Sequence, residues 1–330
     1  MTTGLALLGT GHALPARAVE SDALDAAAGR EVGWLARASG VRRRFVADEE
    51  DQIALATTAA RAAMTEAGVG PDDIDLLLFG AAIPYQALPS TAPLLQRALA
   101  IPDGRAAAFD VNATCLSFVT ALDIAQLQLA AGRHRRALVV SAELASRGLP
   151  WQDAPEVAGL FSDGAGAAVV EAAPGRVFAS LMRTYPSAWE ACQVQAGGTR
   201  HRAEEVDAAR SYARLATFGM DGKVLFRLTA AHFADFLDAL LARAGWRRED
   251  IALVIPHQAS PGALKHLARV CGFAPGQIAD IAAGYGNQIA ASIPVTLALA
   301  RAEGRVRGGD KLLLLGTSAG VSFGGIALEV

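Results

Sequence analysis

Short apolar runs recur along almost the whole chain, each separated from the next by longer Ala/Leu-rich stretches. This alternation limits the fold more than any other feature of the sequence. The runs are Leu5 to Leu8, Leu76 to Phe79, Ala106 to Val111, Ala137 to Val140, Ala165 to Val170, Ala252 to Ile255 and Lys311 to Leu315. Strand-length runs alternating with helical ones are the mark of α/β architecture.

The chain also resembles itself. Glu66-Ala67-Gly68, followed by Asp72-Asp73-Ile74-Asp75-Leu76-Leu77-Leu78, matches Arg243-Ala244-Gly245, followed by Glu249-Asp250-Ile251-Ala252-Leu253-Val254-Ile255, at a constant offset of 177. A helix end, a turn and a strand thus recur in register, and each half then closes on a Gly-rich strand, Gly164 to Val170 and Gly320 to Leu328. The 330 residues exceed one ordinary domain. The expected organisation is an internal duplication, residues 1–175 and 176–330. Between the halves, 183–217 has mixed charge and little periodicity, and is expected to run over the surface as a long excursion.

Charge and cysteine content exclude several classes of function. The net charge is −3 and the longest basic run is Arg42-Arg43-Arg44, so no nucleic-acid partner is expected. No apolar run approaches the roughly 18 residues that a membrane span needs, and the N-terminus lacks a signal-peptide pattern. Three cysteines, odd in number and widely spaced, form no disulfide framework, and Cys192 and Cys271 have no ligand-spaced partners for zinc. A soluble cytoplasmic protein without a metal is expected.

The chemistry is expected where the apolar run ending at Val111 meets the helical pattern of Leu116, Val119, Leu122, Ile124 and Leu127. Cys115 sits at that junction, near a helix N-terminus. There, unpaired N–H groups and the helix dipole favour an anion, and are expected to lower the thiol from about 8.5 toward the nucleophilic range. A thiolate so placed can accept an acyl group. The bland alternative is a small hydrophobe packed under a helix. Two further motifs weigh against it. His257 ends the run Val254-Ile255-Pro256, where an imidazole can exchange a proton with, or donate to, a thioester. Asn287 lies on the turn Gly284-Tyr285-Gly286-Asn287, where its amide can donate without titrating. His12, His134, His201, His232 and His266 have no such setting and are taken as structural.

Together, these three motifs resemble the β-ketoacyl-acyl-carrier-protein synthase III family of the thiolase superfamily. The likeness spans nearly the whole chain. It includes Gly9-Thr10-Gly11, Trp34 with Ser39-Gly40-Val41, Leu88-Pro89-Ser90, Ser162 to Ala168, Met220 to Phe226 and the closing strand. The resemblance implies a duplicated five-layered α/β/α/β/α thiolase-like fold, a homodimer, and no cofactor beyond CoA thioesters as substrates. It implies that Cys115 takes an acyl group from acyl-CoA, and that His257 and Asn287 hold the carbonyl of a malonyl-CoA or malonyl-acyl-carrier-protein extender during decarboxylative condensation. The backbone N–H groups of Cys115 and Ala319 would form the oxyanion hole. Trp34, Arg147, Phe226 and Ser260 fall at CoA- or pantetheine-binding positions, Arg37 one residue before such a position, and Leu88 at the acyl pocket across the dimer. Ser260 stands where the family has asparagine, Gly262 where it has a docking arginine, and Ala38 where it has an arginine beside Trp34. These departures spare the Cys, His and Asn set and favour a specialised pathway over fatty-acid initiation.

Four rival functions fit parts of the sequence. Gly316-Thr317-Ser318-Ala319-Gly320 spells the G-x-S-x-G of a serine hydrolase, but the ten residues after Gly320 read as a strand where an elbow needs a helix. A Cys/His/Asn protease shares the residue order. An acyltransferase of the same fold would pass the Cys-bound acyl group to a hydroxyl or amine. A silent interaction protein of this fold would not need the intact triad.

Overall fold

The structure, a computed structural model, describes residues 3–201 and 212–330. Nine strands form its two main sheets: β1 (Thr3–Ala13), β2 (Leu76–Gly80), β3 (Ala107–Val111), β4 (Arg136–Glu143), β5 (Gly164–Pro174), β6 (Phe178–Thr184), β7 (Leu253–Pro256), β8 (Lys311–Ser318) and β9 (Ser322–Glu329). The first sheet has the order β1-β5-β4-β2-β3, the second β7-β8-β9-β6. Within them β4-β2-β3 and β7-β8 pair in parallel, and the remaining neighbours are antiparallel.

The two sheets are copies of one pattern. Written from the other edge, the first is 3-2-4-5-1. The second is the same with its third strand reduced to a single parallel bridge between Val254 and Ile278. The repeated sequence accounts for the match. Gly68 and Gly245 both end helices with left-handed backbones, φ 66° and 68°. In the following turns Asp73 accepts from Gly70 N and Asp250 from Arg247 N, each at 2.9 Å.

Six longer helices complete the layers: α1 (Gln52–Ala67), α2 (Thr91–Ala98), α3 (Ser117–Ala130), α4 (Gly222–Ala244), α5 (Pro261–Cys271) and α6 (Ser292–Ala302). Because side chains alternate across a strand, a continuous apolar run must be covered on both faces. Leu76 and Leu78 accordingly join Leu312 and Leu314 in the central core with α3 and α6, while Leu77 and Phe79 face α1 and α2. Leu313 and Leu315 face α4 and α5. The result is five layers, α/β/α/β/α. Helices α3 and α6, flanked by a sheet on each side, are apolar around most of their circumference, as a buried helix must be.

The described residues of 183–217 are mostly exposed or half-buried, but the stretch is tied down at several points. β6 runs into it, Cys192–Gln193 pairs antiparallel with Gly219–Met220, and Ala191 and Ala196 are buried. Its pieces are too short to show a period in sequence. Residues 202–211 of that stretch lie outside the described residues. No helix among the described residues is long and apolar enough to cross a membrane.

Candidate active site

Cys115 lies in a single 3-10 turn, Thr114–Leu116, between β3 and α3. Asn112 and Ser117 shape the turn. Asn112 Oδ1 accepts from Thr114 N at 2.9 Å, and Ser117 Oγ donates to Thr114 O at 2.6 Å. They hold Thr114 at φ +51°, a left-handed conformation that a β-branched residue adopts only when its surroundings impose it. Thr114 Oγ1 donates to Ala319 O at 3.3 Å, which brings the turn after β8 against the nucleophile turn. The backbone N–H groups of Ala319 and Cys115 favour an anion at the sulfur.

The thiol is not acidified as the helix-dipole argument expects. Burial pushes Cys115 up to about 12, and the neighbouring Cys192 thiol and Glu143 carboxyl add to the rise. The two N–H groups offset only part of it. A helix terminus contributes about 0.3–1 kcal/mol, whereas removing a charged group from water shifts its pKa by several units. Cys115 at rest is a thiol.

His257 continues β7, its N–H donating to Leu315 O at 2.8 Å. Gly316 makes room for it, since a Cβ there would meet His257 Cβ at 2.6 Å. His257 Nδ1 lies 2.7 Å from Ser292 Oγ, and Ser292 Oγ donates to Ile289 O at 2.8 Å. A hydroxyl has one proton, so with that proton on Ile289 the serine accepts from Nδ1–H and leaves the Nε2 lone pair free. Burial pushes His257 down to about 4, opposed in part by the Ile289 carbonyl, so the imidazole is neutral.

Asn287 is pinned at its backbone, donating from N to Leu160 O at 2.8 Å and accepting at O from Ser162 N at 3.0 Å. Gly286 before it has φ +67°, and a Cβ would approach Ser162 Cβ to 2.9 Å, so the turn requires glycine. The Asn287 side chain accepts from Ile289 N at 2.8 Å and donates to Ala259 O at 3.3 Å, which leaves one amide hydrogen unused.

The nucleophile turn and the Asn287 turn are the same structure used twice. Asn112 and Asn287, Thr114 and Ile289, and Ser117 and Ser292 each stand 175 residues apart. Ile289 has φ +50°, and Asn112 Nδ2 donates to Ala82 O as Asn287 does to Ala259 O. The two turns pack against each other. One carries Cys115, and the other has Ala290 in its place.

The segments that carry Cys115, Ala319 and Asn287 thus pack together, with His257 tied to Ser292 beside them, and the other candidate residues do not bond to these four directly. Trp34 carries the Arg30 guanidinium 4.7 Å above its ring, and Arg37 is exposed and paired with Glu31 at 3.2 Å. Arg147 is exposed on the turn Ala145–Gly148. Phe226 lines a cavity of about 420 Å3 with Gly222, Lys223 and Arg227. The Ser260 hydroxyl caps α5, accepting from Ala263 N at 3.0 Å, which leaves its O–H donor for another partner. Leu88, 86% exposed, points away from its own chain. Ser318 ends β8 and is followed by the hairpin to β9, so the strand–helix elbow of a serine hydrolase is not formed. Ser292, Cys192 and Glu143 were not among the candidates.

A duplicated α/β/α/β/α fold, with a cysteine at the head of a central helix and a histidine and asparagine from the other repeat beside it, defines the class as a thiolase-fold enzyme. Residues 109–186 match the family model of 3-oxoacyl-[acyl-carrier-protein] synthase III, and residues 241–330 match that of its C-terminal part. The β-ketoacyl-acyl-carrier-protein synthase III of Brucella anthropi is 34% identical over 323 residues, covering 97% of this chain and 98% of that protein. The structure of the Aquifex aeolicus 3-oxoacyl-acyl-carrier-protein synthase III superposes with a TM-score of 0.87 at 30% identity, covering 99% and 100% of the two chains. A priming β-ketosynthase from a polyketide biosynthetic pathway gives a TM-score of 0.90 at 26% identity, covering 99% and 96%. The chain belongs to the β-ketoacyl-acyl-carrier-protein synthase III family of condensing enzymes.

Proposed function

We propose that this enzyme transfers an acyl group from acyl-CoA to Cys115 and condenses it with a malonyl thioester, in specialised metabolism. The carrying observation is that the backbone N–H groups of Cys115 and Ala319 favour an anion at the sulfur, while the turn packed against the Cys115 turn carries Asn287 and is tied through Ser292 to His257 at the end of β7. In the first half-reaction His257 Nε2 takes the thiol proton as sulfur attacks the acyl carbonyl. The two N–H groups receive the oxyanion, and CoA leaves with the proton. In the second, the malonyl thioester loses CO2 and its enolate oxygen is held by His257 and the unused Asn287 hydrogen. The enolate carbon then attacks the acyl-cysteine, and the sulfur departs from the β-ketoacyl product. Donors aimed at charge present only in the transition state raise the rate without tightening substrate binding.

Lys223 and Arg227 beside the Phe226 cavity suit the phosphate of a phosphopantetheine arm, which CoA and carrier-bound extenders share. The departures at Ser260 and Gly262, together with the likeness to a polyketide priming synthase, support the specialised role. A second copy of the chain is expected to complete the acyl pocket with Leu88.

The test is intact-mass analysis after incubation with a panel of acyl-CoAs, followed by malonyl-CoA or malonyl-acyl-carrier protein. An acyl adduct is expected on Cys115, abolished in Cys115→Ala. His257→Ala and Asn287→Ala should lose malonyl-dependent product by about a hundredfold or more. An adduct on another residue, or discharge to a hydroxyl or amine acceptor but never to malonyl thioesters, would overturn the proposal.

A further inference from the structure

Glu143 is the last residue of β4 and is 1% exposed. Its Oε1 accepts from Ala82 N at 2.6 Å, while Oε2 is buried without a hydrogen-bond partner. From Ala82 a chain of hydrogen bonds leads to the nucleophile. Asn112 Nδ2 donates to Ala82 O at 3.0 Å, Asn112 Oδ1 accepts from Thr114 N at 2.9 Å, and Thr114 directly precedes Cys115. The facing repeat has the same Asn-to-Ala link but no carboxyl. There Ala259 N donates to His257 O at 2.9 Å, and Ser318 stands where Glu143 would be. A buried acid has thus been added only to the repeat that carries the cysteine.

We propose that Glu143 is a positioning residue of the acylation half-reaction, holding as a neutral acid the Ala82–Asn112–Thr114 chain that presents Cys115. The inference rests on the assignment of Cys115 as the acyl acceptor. With Oε1 accepting an N–H, the acid proton belongs on Oε2, the oxygen without a partner. Burial pushes Glu143 up to about 8 and the charge of Asp163 adds to the rise, while the N–H groups of Ala82, Ile83 and Ala290 pull the other way. The titratable and charged groups around this end of the sheet are Cys115 and Cys192, Asp163 with Arg147 facing it, and Tyr85 beside Asp51 on the segment that follows Ala82. Below about pH 8 the carboxyl is neutral. Above it, a negative charge appears next to the thiol and opposes thiolate formation.

The experiment compares wild type, Glu143→Gln and Glu143→Ala. It measures single-turnover acylation of Cys115 by acyl-CoA, and its alkylation by iodoacetamide, across neutral to alkaline pH. An uncoupled thiol below its own pKa gains roughly tenfold in thiolate per pH unit. Wild type should bend below that line above about pH 8, whereas Glu143→Gln, which cannot ionise, should keep climbing. Glu143→Ala should lose about tenfold or more in acylation at neutral pH, and Glu143→Gln should restore most of the loss. Superimposable wild-type and Glu143→Gln profiles, or an unimpaired Glu143→Ala, overturn the proposal. If Glu143→Gln does not fold, a wild-type alkylation profile with no bend overturns it alone. Failure of every acyl-CoA to label Cys115 would sink the functional assignment, while the iodoacetamide arm would still report on Glu143.

Discussion

Ser292 has one hydroxyl proton and two acceptors within reach, Ile289 O at 2.8 Å and His257 Nδ1 at 2.7 Å, and the two half-reactions need it in different places. In the proposed mechanism acylation uses Nε2 as a base, so Nδ1 must carry the proton and Ser292 must accept it. Enolate stabilisation needs Nε2–H, so Ser292 must rotate and donate to Nδ1. Ser292→Ala removes the second arrangement, while Nδ1–H no longer needs the serine as acceptor for Nε2 to act as a base. Acylation should fall less than about fivefold and condensation about a hundredfold, the cost of one oxyanion donor. Timing the acyl-enzyme by mass and the malonyl-dependent product by chromatography checks this, and equal losses in both steps would refute it. Cys115, His257 and Asn287 were legible in the sequence because each stands at the end of an apolar run or on a Gly-flanked turn. Ser292 and Glu143 were not, because their partners lie 35 and 61 residues away. The protonation state of Cys115 was misjudged for the same reason, since the dipole is a local property and the burial that outweighs it is made by both repeats.

At the scale of elements, the continuous apolar strands were readable because the two-sided burial of β2, β4, β7 and β8 leaves no polar alternation to confuse with a helix. β6 escaped because it is half covered at one end and exposed at the other. The packing of β8 against the His257 loop was equally hidden, although the sequence shows its instrument, Gly316. A methyl group at that position would sit 2.6 Å from His257 Cβ, well inside contact distance, and His257 is held by β7 on one side and Ser292 on the other. Gly316→Ala should therefore displace the imidazole by some tenths of an ångström and cost about tenfold to a hundredfold in both half-reactions. The circular dichroism spectrum should be unchanged, and the melting temperature should fall by a few degrees. A variant that condenses at the wild-type rate would show that the strand can shift without moving the histidine.

The molecule as a whole is a pair of similar halves made unequal, and the inequality shows at the sheet edges. The offset of 177 foretold the repeated helix end, turn and strand, but not which outer strand would be lost, because Ile278 lies in a stretch with no strand signal. The second sheet therefore ends at β7 with a single bridge outside it, whereas the first keeps a full edge strand, β3. That strand leaves Ala107 and Phe109 exposed, the latter by 38%, and Ile83, Tyr85 and Leu88 stand exposed on the segment that follows β2. An open strand edge with exposed apolar side chains is a template for another strand, and a large apolar patch on a monomer marks an interface. The β3 edge of a second copy has the same residues, so a two-fold pairing would extend the sheet and cover the patch on both chains. Phe109→Glu places two like charges across that axis. Wild type should sediment at twice the mass of one chain, and the variant as a monomer at micromolar concentration. The monomer should retain its far-ultraviolet spectrum, because Phe109 lies at the open edge of the sheet and is not among the buried core residues, yet acylate with lower chain-length selectivity if Leu88 completes a neighbouring pocket as proposed. A wild-type chain that sediments as a monomer, or a Phe109→Glu variant that remains dimeric, would place the contact elsewhere.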